Sequence, residues 1–365
     1  MIMKIIHLLY SGLGGHGHVF FSLVKADKDK VFETEAVFNG IEEMQEEYKG
    51  LCRQYNIKYD FVKKRPGPDL GYYFKLAKKI RHADPEIIFL HASSNIIAAR
   101  LALFFGRSKK KIIVRETQAN ELKTRKEWFW LRLSLLFADK IVFLSDVYKE
   151  QVKMRFNRIY RPEKISVIPN GIDLNLFRPG EKKKNSVIVL GMVSRIVVIK
   201  DQLTLIQAFG LLKHQFPLQN FKLRIAGAGE NSLALEEKAR QLGIGDDIEF
   251  TGPLGALELL NFLQSLDIYI HASFGETMST AIMQAMACRK TVIASDVTGI
   301  NNMIQHGHTG WLVPVQDPVA LSSAIGMLVK DQELAARLAD KGWRFAVDNY
   351  SSTEMFNRYK QLFFS

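Results

Sequence analysis

The sequence predicts an α/β protein of two Rossmann-like domains, each a parallel sheet covered by helices. Three observations predict it. Short β-type runs alternate with amphipathic helical segments through the whole chain. A length of 365 residues suits two domains. Near the middle, RPGEKKKNS (178–186) breaks the alternation; it is polar and basic, contains Pro and Gly, and is the best linker.

In the first half, strands are predicted at KIIHLLY (4–10), TEAVF (34–38), IKYDFV (57–62), EIIFL (86–90), KIIV (111–114) and KIVFL (140–144). In the second half they fall at SVIVLGMV (186–193), FKLRIAG (221–227), DIEFTG (247–252), DIYIHA (267–272), TVIAS (291–295) and WLVP (311–314). The domains are placed at 1–178 and 179–347, with a last segment at 348–365. Within it, SSTEMFNRYKQLFFS (351–365) reads as a helix with Phe356, Tyr359, Leu362 and Phe363 as its buried stripe.

Hydrophobic content of 47% and charged content of 24% describe a globular chain that can bury its cores without staples. Two cysteines, Cys52 and Cys288, argue against a disulfide framework and a cysteine zinc site, and suit a reducing compartment. The most apolar stretch, 87–106, contains His91, Asn95 and Arg100 and reads as strand–loop–helix, not as a bilayer span. The N-terminal apolar run is too short for a signal peptide and reads as the first strand. A cytoplasmic protein is expected.

The formal net charge of +12 is unevenly placed. Residues 1–180 hold 32 Lys and Arg against 20 Asp and Glu, and residues 181–365 hold 18 of each. A basic first half suits an anionic partner: nucleic acid, anionic lipid or a phosphorylated substrate. A merely well-solvated surface is the plain alternative.

In open α/β sheets, ligands bind beyond the carboxyl ends of the strands. After the first strand, YSGLGGHGHVFF (10–21) satisfies GxGxxG through Gly12, Gly14 and Gly17. A dinucleotide site also wants an acid at the end of the second strand, but Asn39 and Gly40 stand there and Glu35 lies near the strand's start. The loop fits another phosphorylated ligand better, or a purely structural turn. His16 and His18 lack the acidic or cysteine company of a metal site. DKD at 27–29 lies in a charged loop and carries no weight.

In the second half, GMVSRIVVIKD (191–201) puts Arg195 and Lys200 just past a strand, where two cations can bind a diphosphate or simply be solvated. FGETMSTAIMQAMAC (274–288) follows another strand. Its small, apolar positions read as a buried helix with Ser279 or Thr280 as N-cap. The helix N-terminus offers free amides to a phosphate or sugar oxygen. Glu276, just ahead of it, can accept hydrogen bonds from sugar hydroxyls, or can serve as a capping carboxylate.

Taken in order, VIPNGIDLNLFRP (167–179), SRIVVIKD (194–201), LRIAGAGE (223–230), FGETMSTAIMQAMAC and HTGWLVP (308–314) resemble the signatures of the retaining glycosyltransferases of family 4, with the GT-B fold. The resemblance runs along nearly the whole chain. It implies two domains facing across a cleft, with a nucleotide-sugar donor held mainly by the C-terminal domain and an acceptor mainly by the N-terminal one. Arg195 and Lys200 would then hold the diphosphate, Glu276 the sugar hydroxyls, and amides near Ser279 and Thr280 the phosphate and sugar. Gly14 and Gly15 would close on the donor, and His91 and Arg115 would face the cleft. His91 fits a satisfied structural histidine as well. Gln284 stands where the family's motif has its second Glu, associated with the ribose; an amide oxygen still accepts a hydroxyl, without charge assistance. Thr277 stands where the family often has Gly. The last helix would cross back to the first domain.

The reaction so implied is front-face transfer with retention, without resident cofactor or metal, the nucleotide-sugar, UDP-linked on base rates, being a substrate. The acceptor implied is a lipid-linked or lipopolysaccharide/O-antigen-type anionic glycan. Aromatics beside cations in LGYYFKLAKKIRH (70–82) and KTRKEWFWLR (123–132), with RSKKK (107–111), suit peripheral attachment to an anionic cytoplasmic membrane face. Ordinary helices with exposed lysines are the alternative. Rival readings are a sugar-nucleotide epimerase of similar fold, a nucleotide-sugar-binding pseudoenzyme and a nucleic-acid binder. The ordered phosphate-site motifs and the neutral second half argue against nucleic acid.

Overall fold

The structure is a computed structural model and describes residues 2–12, 14–104, 110–181 and 186–365. The chain divides into two compact units, Met1–Gly171 with Ser352–Ser365, and Ile172–Ser351.

The first unit holds β1 (Met3–Tyr10), β2 (Phe32–Gly40), β3 (Lys58–Lys63), β4 (Ile87–Leu90), β5 (Lys111–Arg115), β6 (Lys140–Phe143) and β7 (Ile165–Val167). They form one parallel sheet in the order β3-β2-β1-β4-β5-β6-β7. Its helices are α1 (Gly15–Ala26), α2 (Glu46–Gln54), α3 (Leu70–Ala83), α4 (Ile96–Phe104), α5 (Arg125–Phe137) and α6 (Asp146–Arg155). The central strands read as near-continuous Ile, Leu, Val and Phe because helices cover both faces.

The second unit holds β8 (Ile188–Val193), β9 (Phe221–Ala226), β10 (Ile248–Gly252), β11 (Ile268–His271), β12 (Thr291–Ser295) and β13 (Trp311–Val313), all parallel, in the order β10-β9-β8-β11-β12-β13. Its helices are α7 (Gln202–Gln215), α8 (Ser232–Gln241), α9 (Ala256–Ser265), α10 (Thr280–Ala287), α11 (Thr298–Asn301), α12 (Pro318–Lys330) and α13 (Gln332–Asn349). The final helix, α14 (Ser352–Phe364), belongs to the first unit.

Two parallel Rossmann-like sheets are thus present, as the sequence predicts, and every predicted strand is found. β7 is the addition: three half-buried residues with no alternation to announce them. The unit boundary is corrected. It follows Gly171, not residue 178, because Ile172 donates its N–H to Tyr350 O, bridges to Ser351, and packs with Phe177 into the second unit's core. The sequence's linker, 178–186, lies partly outside the described residues. In α14 the predicted stripe of Phe356, Tyr359, Leu362 and Phe363 is buried, joined by Met355, against Ile5, Phe89, Ile113 and Val142.

Each sheet reverses its strand order once, between β1 and β4 and between β8 and β11. The carboxyl ends flanking such a reversal form the ligand crevice of an open α/β sheet. In the second unit that position falls to the loops carrying Arg195, Lys200 and Glu276.

Candidate active site

The loop after β8 is shaped by close backbone contact. Ser194 N–H donates to Ala226 O at 3.0 Å and Ile196 N–H to Ala228 O at 2.9 Å. Gly229 makes the approach possible: a Cβ there would stand 2.0 Å from Ile196 O. Gln202, near the start of α7, donates from Nε2 to Ser194 Oγ and to Arg195 O, both at 2.8 Å. Asp201 caps α7 on Thr204 N–H. A loop so pinned presents Arg195 exposed, its guanidinium without a partner among the described residues, and turns Lys200 inward.

The loop after β11 is tied to the first one. Ile199 O accepts from Phe274 N–H at 2.9 Å and from Ser273 Oγ at 3.0 Å. Ser273 N–H in turn donates to Ser295 Oγ at 3.0 Å. Glu276 then meets Lys200 in an ion pair on Oε2, both side chains 15% exposed. His271 Nε2 lies 3.2 Å from the same oxygen. Burial pushes the Glu276 carboxyl up, but the Lys200 charge and the His271 hydrogen bond outweigh it and hold the group at about 2. Glu276 is therefore an anion at neutral pH. Gly299 in α11 lies directly beneath: a Cβ there would stand 1.6 Å from Glu276 O.

Ser279 is the N-cap of α10, accepting from Ile282 N–H at 3.4 Å, which decides between the two predicted caps. Thr280 opens the helix and Gln284 follows one turn later. Arg195, Lys200, Glu276, Ser279, Thr280 and Gln284 thus all lie on the two loops, or on the helix entered from one of them, at one sheet reversal. Buried partners lie behind them. His271 and Tyr269, both at most 1% exposed, were not signalled as functional by the sequence. The sole trace is their i, i+2 spacing on one face of β11.

In the first unit, Gly14 is the N-cap of α1 and Gly15 its exposed first residue. Gly14 N–H donates to Tyr48 Oη at 3.0 Å. The third glycine of the GxGxxG pattern, Gly17, is needed for packing, since a Cβ there would stand 2.1 Å from Tyr48 Oη. Leu13 lies outside the described residues.

His91 follows β4 and is 3% exposed, its Nε2 3.0 Å from Nδ1 of the equally buried His7. Arg115 ends β5 at 2% exposure and donates from Nη2 to Asn170 Oδ1, inside the stretch VIPNGID. Among the described residues, His91 Nδ1 and Arg115 Nη1 have no hydrogen-bond partner.

The buried histidines carry a pH consequence. Burial pushes His7 down to about 3, His91 well below the ordinary range, and His271 down as well. All three are neutral in the folded protein, whereas in the unfolded chain histidine titrates near 6.5. Their contribution to stability is complete above pH 6.5 and is lost as pH falls below it. Each fully depressed histidine costs about 1.4 kcal/mol per pH unit. Urea midpoints are expected to fall clearly from pH 7 to pH 5; equal midpoints would contradict neutral burial.

Part of the basic surface is corrected. Tyr72, read as an interface aromatic, is buried, with its hydroxyl 2.7 Å from Asn39 Oδ1 and 2.9 Å from Asn95 Oδ1. Lys123 is buried against Glu116 at 3.4 Å. Lys110 pairs with Asp84 and Lys111 donates to Phe363 O, while 107–109 lie outside the described residues. Phe74, Lys75, Arg125, Lys126, Phe129 and Arg132 are exposed. Among the described residues, no helix is long and apolar enough to cross a membrane.

Residues 175–344 match the family described as Glycosyl transferases group 1, and residues 13–176 match Glycosyltransferase Family 4. The chain is 30% identical over 198 residues to a D-inositol 3-phosphate glycosyltransferase of Stackebrandtia nassauensis, covering 50% of this chain and 45% of that protein. It is 25% identical over 324 residues to an uncharacterized glycosyltransferase of Methanocaldococcus jannaschii, covering 85% and 76%. The chain spans about half the length of the first of the curated relatives it matches. Among solved structures, Anabaena HepE in complex with UDP and glucose superposes with a TM-score of 0.82 at 20% identity, covering 100% of both chains. A point mutant of S. aureus TarM, in complex with Fondaparinux, alpha-GlcNAc-glycerol and UDP, gives 0.80 at 12% identity, again over 100% of both. At such identities the likeness is one of fold.

Proposed function

We propose that this chain, which belongs to the group 1, family 4 glycosyltransferases and has their GT-B fold, moves a sugar with retention from a UDP-sugar to a lipid-linked or lipopolysaccharide/O-antigen-type glycan. One observation carries the reading. Exposed Arg195, the Lys200–Glu276 pair and the N-terminus of α10 lie together at one sheet reversal, on loops joined through Ile199 O. That set offers a guanidinium fork and an ammonium for a diphosphate, amides for phosphate oxygens, and a carboxylate for sugar hydroxyls. UDP as the donor's nucleotide is supported by the UDP bound in HepE and TarM.

In this reading Arg195 and Lys200 stabilise the charge that gathers on the departing diphosphate. The diphosphate oxygen accepts the proton of the attacking hydroxyl on the face it leaves. No protein nucleophile is invoked; the chain positions and stabilises. Gln284 accepts a ribose hydroxyl more weakly than a carboxylate would. The acceptor is assigned to the first unit, where Arg115 Nη1 and His91 Nδ1 are buried beside the end of the sheet without a hydrogen-bond partner among the described residues. A thermal-shift series with UDP-, GDP- and ADP-sugars tests the donor. The largest shift is expected with a UDP-sugar, and no shift with any of them would remove the reading.

The lipid side of the proposal is supported by α4 and α5. A groove of about 450 Å³ between them is lined by Ile97, Leu101, Phe104, Leu133 and Phe137, with Arg100 at hand. Exposed Arg125, Lys126, Phe129 and Arg132 lie on α5. Apolar side chains among cations suit the interface of an anionic bilayer. Sedimentation with anionic vesicles is expected at low salt and to fade at high salt. Equal sedimentation with neutral vesicles would contradict it.

A further inference from the structure

Behind Glu276 stands a buried polar chain that the donor-binding motif does not contain. Tyr269 and His271 point to the same face of β11, two residues apart, and both are buried. The Tyr269 hydroxyl lies 3.1 Å from His271 Nδ1 and 3.4 Å from Val193 O. His271 Nε2 lies 3.2 Å from Glu276 Oε2, the oxygen that also meets Lys200. A hydroxyl has one proton, so the arrangement of protons along this chain can be worked out.

A neutral imidazole has one N–H. Facing a carboxylate, the low-energy form places it on Nε2, because a bare Nε2 would oppose the oxygen's lone pairs. Nδ1 is then an acceptor, and the Tyr269 proton completes it. Burial, the largest influence on His271, lowers its pKa and favours this neutral form. The titratable groups facing the ring among the described residues are Tyr269 on its own strand, Glu276 on the following loop and Lys200 on the loop after β8.

We propose that His271 is a positioning residue for Glu276, held from behind by Tyr269, so that the carboxylate meets a hydroxyl of the donor sugar at a fixed angle. This rests on the reading that Glu276 contacts the donor. Lys200 alone does not do this. Its ammonium is a point charge on a flexible stem and tolerates many carboxylate orientations. A ring N–H fixed at the end of a buried strand defines a direction, and two donors on Oε2 leave the carboxylate little freedom to rotate. The same oxygen is thereby kept ionised on the acid side of neutrality.

The test has a spectroscopic and a kinetic arm. With ¹⁵N-labelled histidine, the His271 ring at pH 7 is expected to be the Nε2–H tautomer, and Glu276→Gln is expected to shift its Nε2 resonance. An Nδ1–H tautomer, or a resonance indifferent to Glu276→Gln, would overturn the proposal whatever the enzyme's substrate is. In turnover with a UDP-sugar, His271→Leu is expected to lower kcat roughly 10- to 100-fold, with UDP affinity within about twofold of wild type. The acid limb of its kcat profile is expected to move up, and His271→Gln, which restores an N–H donor, to recover most of the rate. An unchanged kcat and acid limb in His271→Leu, or equal losses in kcat and UDP affinity, would overturn the proposal. Tyr269→Phe keeps the ring packed while removing the hydroxyl, and is expected to fall between wild type and His271→Leu if the latter folds poorly; wild-type kcat and an unmoved acid limb in Tyr269→Phe would count against the chain. Wild-type turnover in Glu276→Ala would instead remove the donor reading, and this proposal with it.

Discussion

Glu276→Ala is expected to lower kcat at least about 100-fold, an effect of ~2.7 kcal/mol, while leaving nucleotide affinity near that of the unchanged protein. The asymmetry follows from where the charges sit. Arg195 and Lys200 hold the diphosphate in the proposed complex, so the nucleotide keeps its anchors. What is lost is the carboxylate that orients the sugar while its bond to the diphosphate breaks. The Ala variant also leaves Lys200 without its ion-pair partner and His271 Nε2 without its acceptor. Glu276→Gln separates the two effects. The amide oxygen can still accept from both neighbours, so folding is expected to survive, while the anion is gone. A loss of kcat in both variants, with UDP affinity retained, is the expected pattern in steady-state kinetics with parallel calorimetry. Near-normal turnover in Gln would take Glu276 out of the site.

Gly299→Ala is expected to damage both stability and turnover. The added methyl group would stand 1.6 Å from Glu276 O, 2.3 Å from its carbonyl carbon and 2.8 Å from Thr277 O. These are backbone atoms, and no side chain can swing aside to make room. The loop or α11 must move, at a cost of about 2–3 kcal/mol. For a unit the size of the second one, this lowers the melting temperature by roughly 5–10 °C. Because the displaced segment carries Glu276, a shift of about 1 Å costs on the order of 100-fold in kcat as well. Thermal melts and single-turnover rates check both parts. A variant that melts and turns over like wild type would mean that the loop is not held against Gly299.

Much of this was legible in the sequence for a definite reason. β4, β5 and β6 are buried on both faces, so their Ile, Val and Phe runs leave no doubt about strand type. Arg195, Lys200 and Glu276 could be placed because an open α/β sheet confines its ligand to the loops after its strands. What stayed hidden depends on contacts between distant residues. Gly299 and Gly229 read as ordinary glycines until the carbonyls they press against are known. Tyr72 looks like an interface aromatic beside its lysines, yet Asn39 and Asn95 hold its hydroxyl in the core. The unit boundary moves to Gly171 through the pairing of Ile172 with Tyr350 and Ser351, which lie far along the chain. His271 gives no signal at all except its spacing from Tyr269.

The most direct test is a crystal structure of the protein with a bound UDP-sugar, read as the distances from the diphosphate oxygens to Arg195 and to Lys200 Nζ. The account predicts hydrogen-bond distances of about 3 Å to both cations, with a sugar hydroxyl on Glu276. A diphosphate held by the glycine loop after β1, with Arg195 and Lys200 turned away from it, would contradict the account.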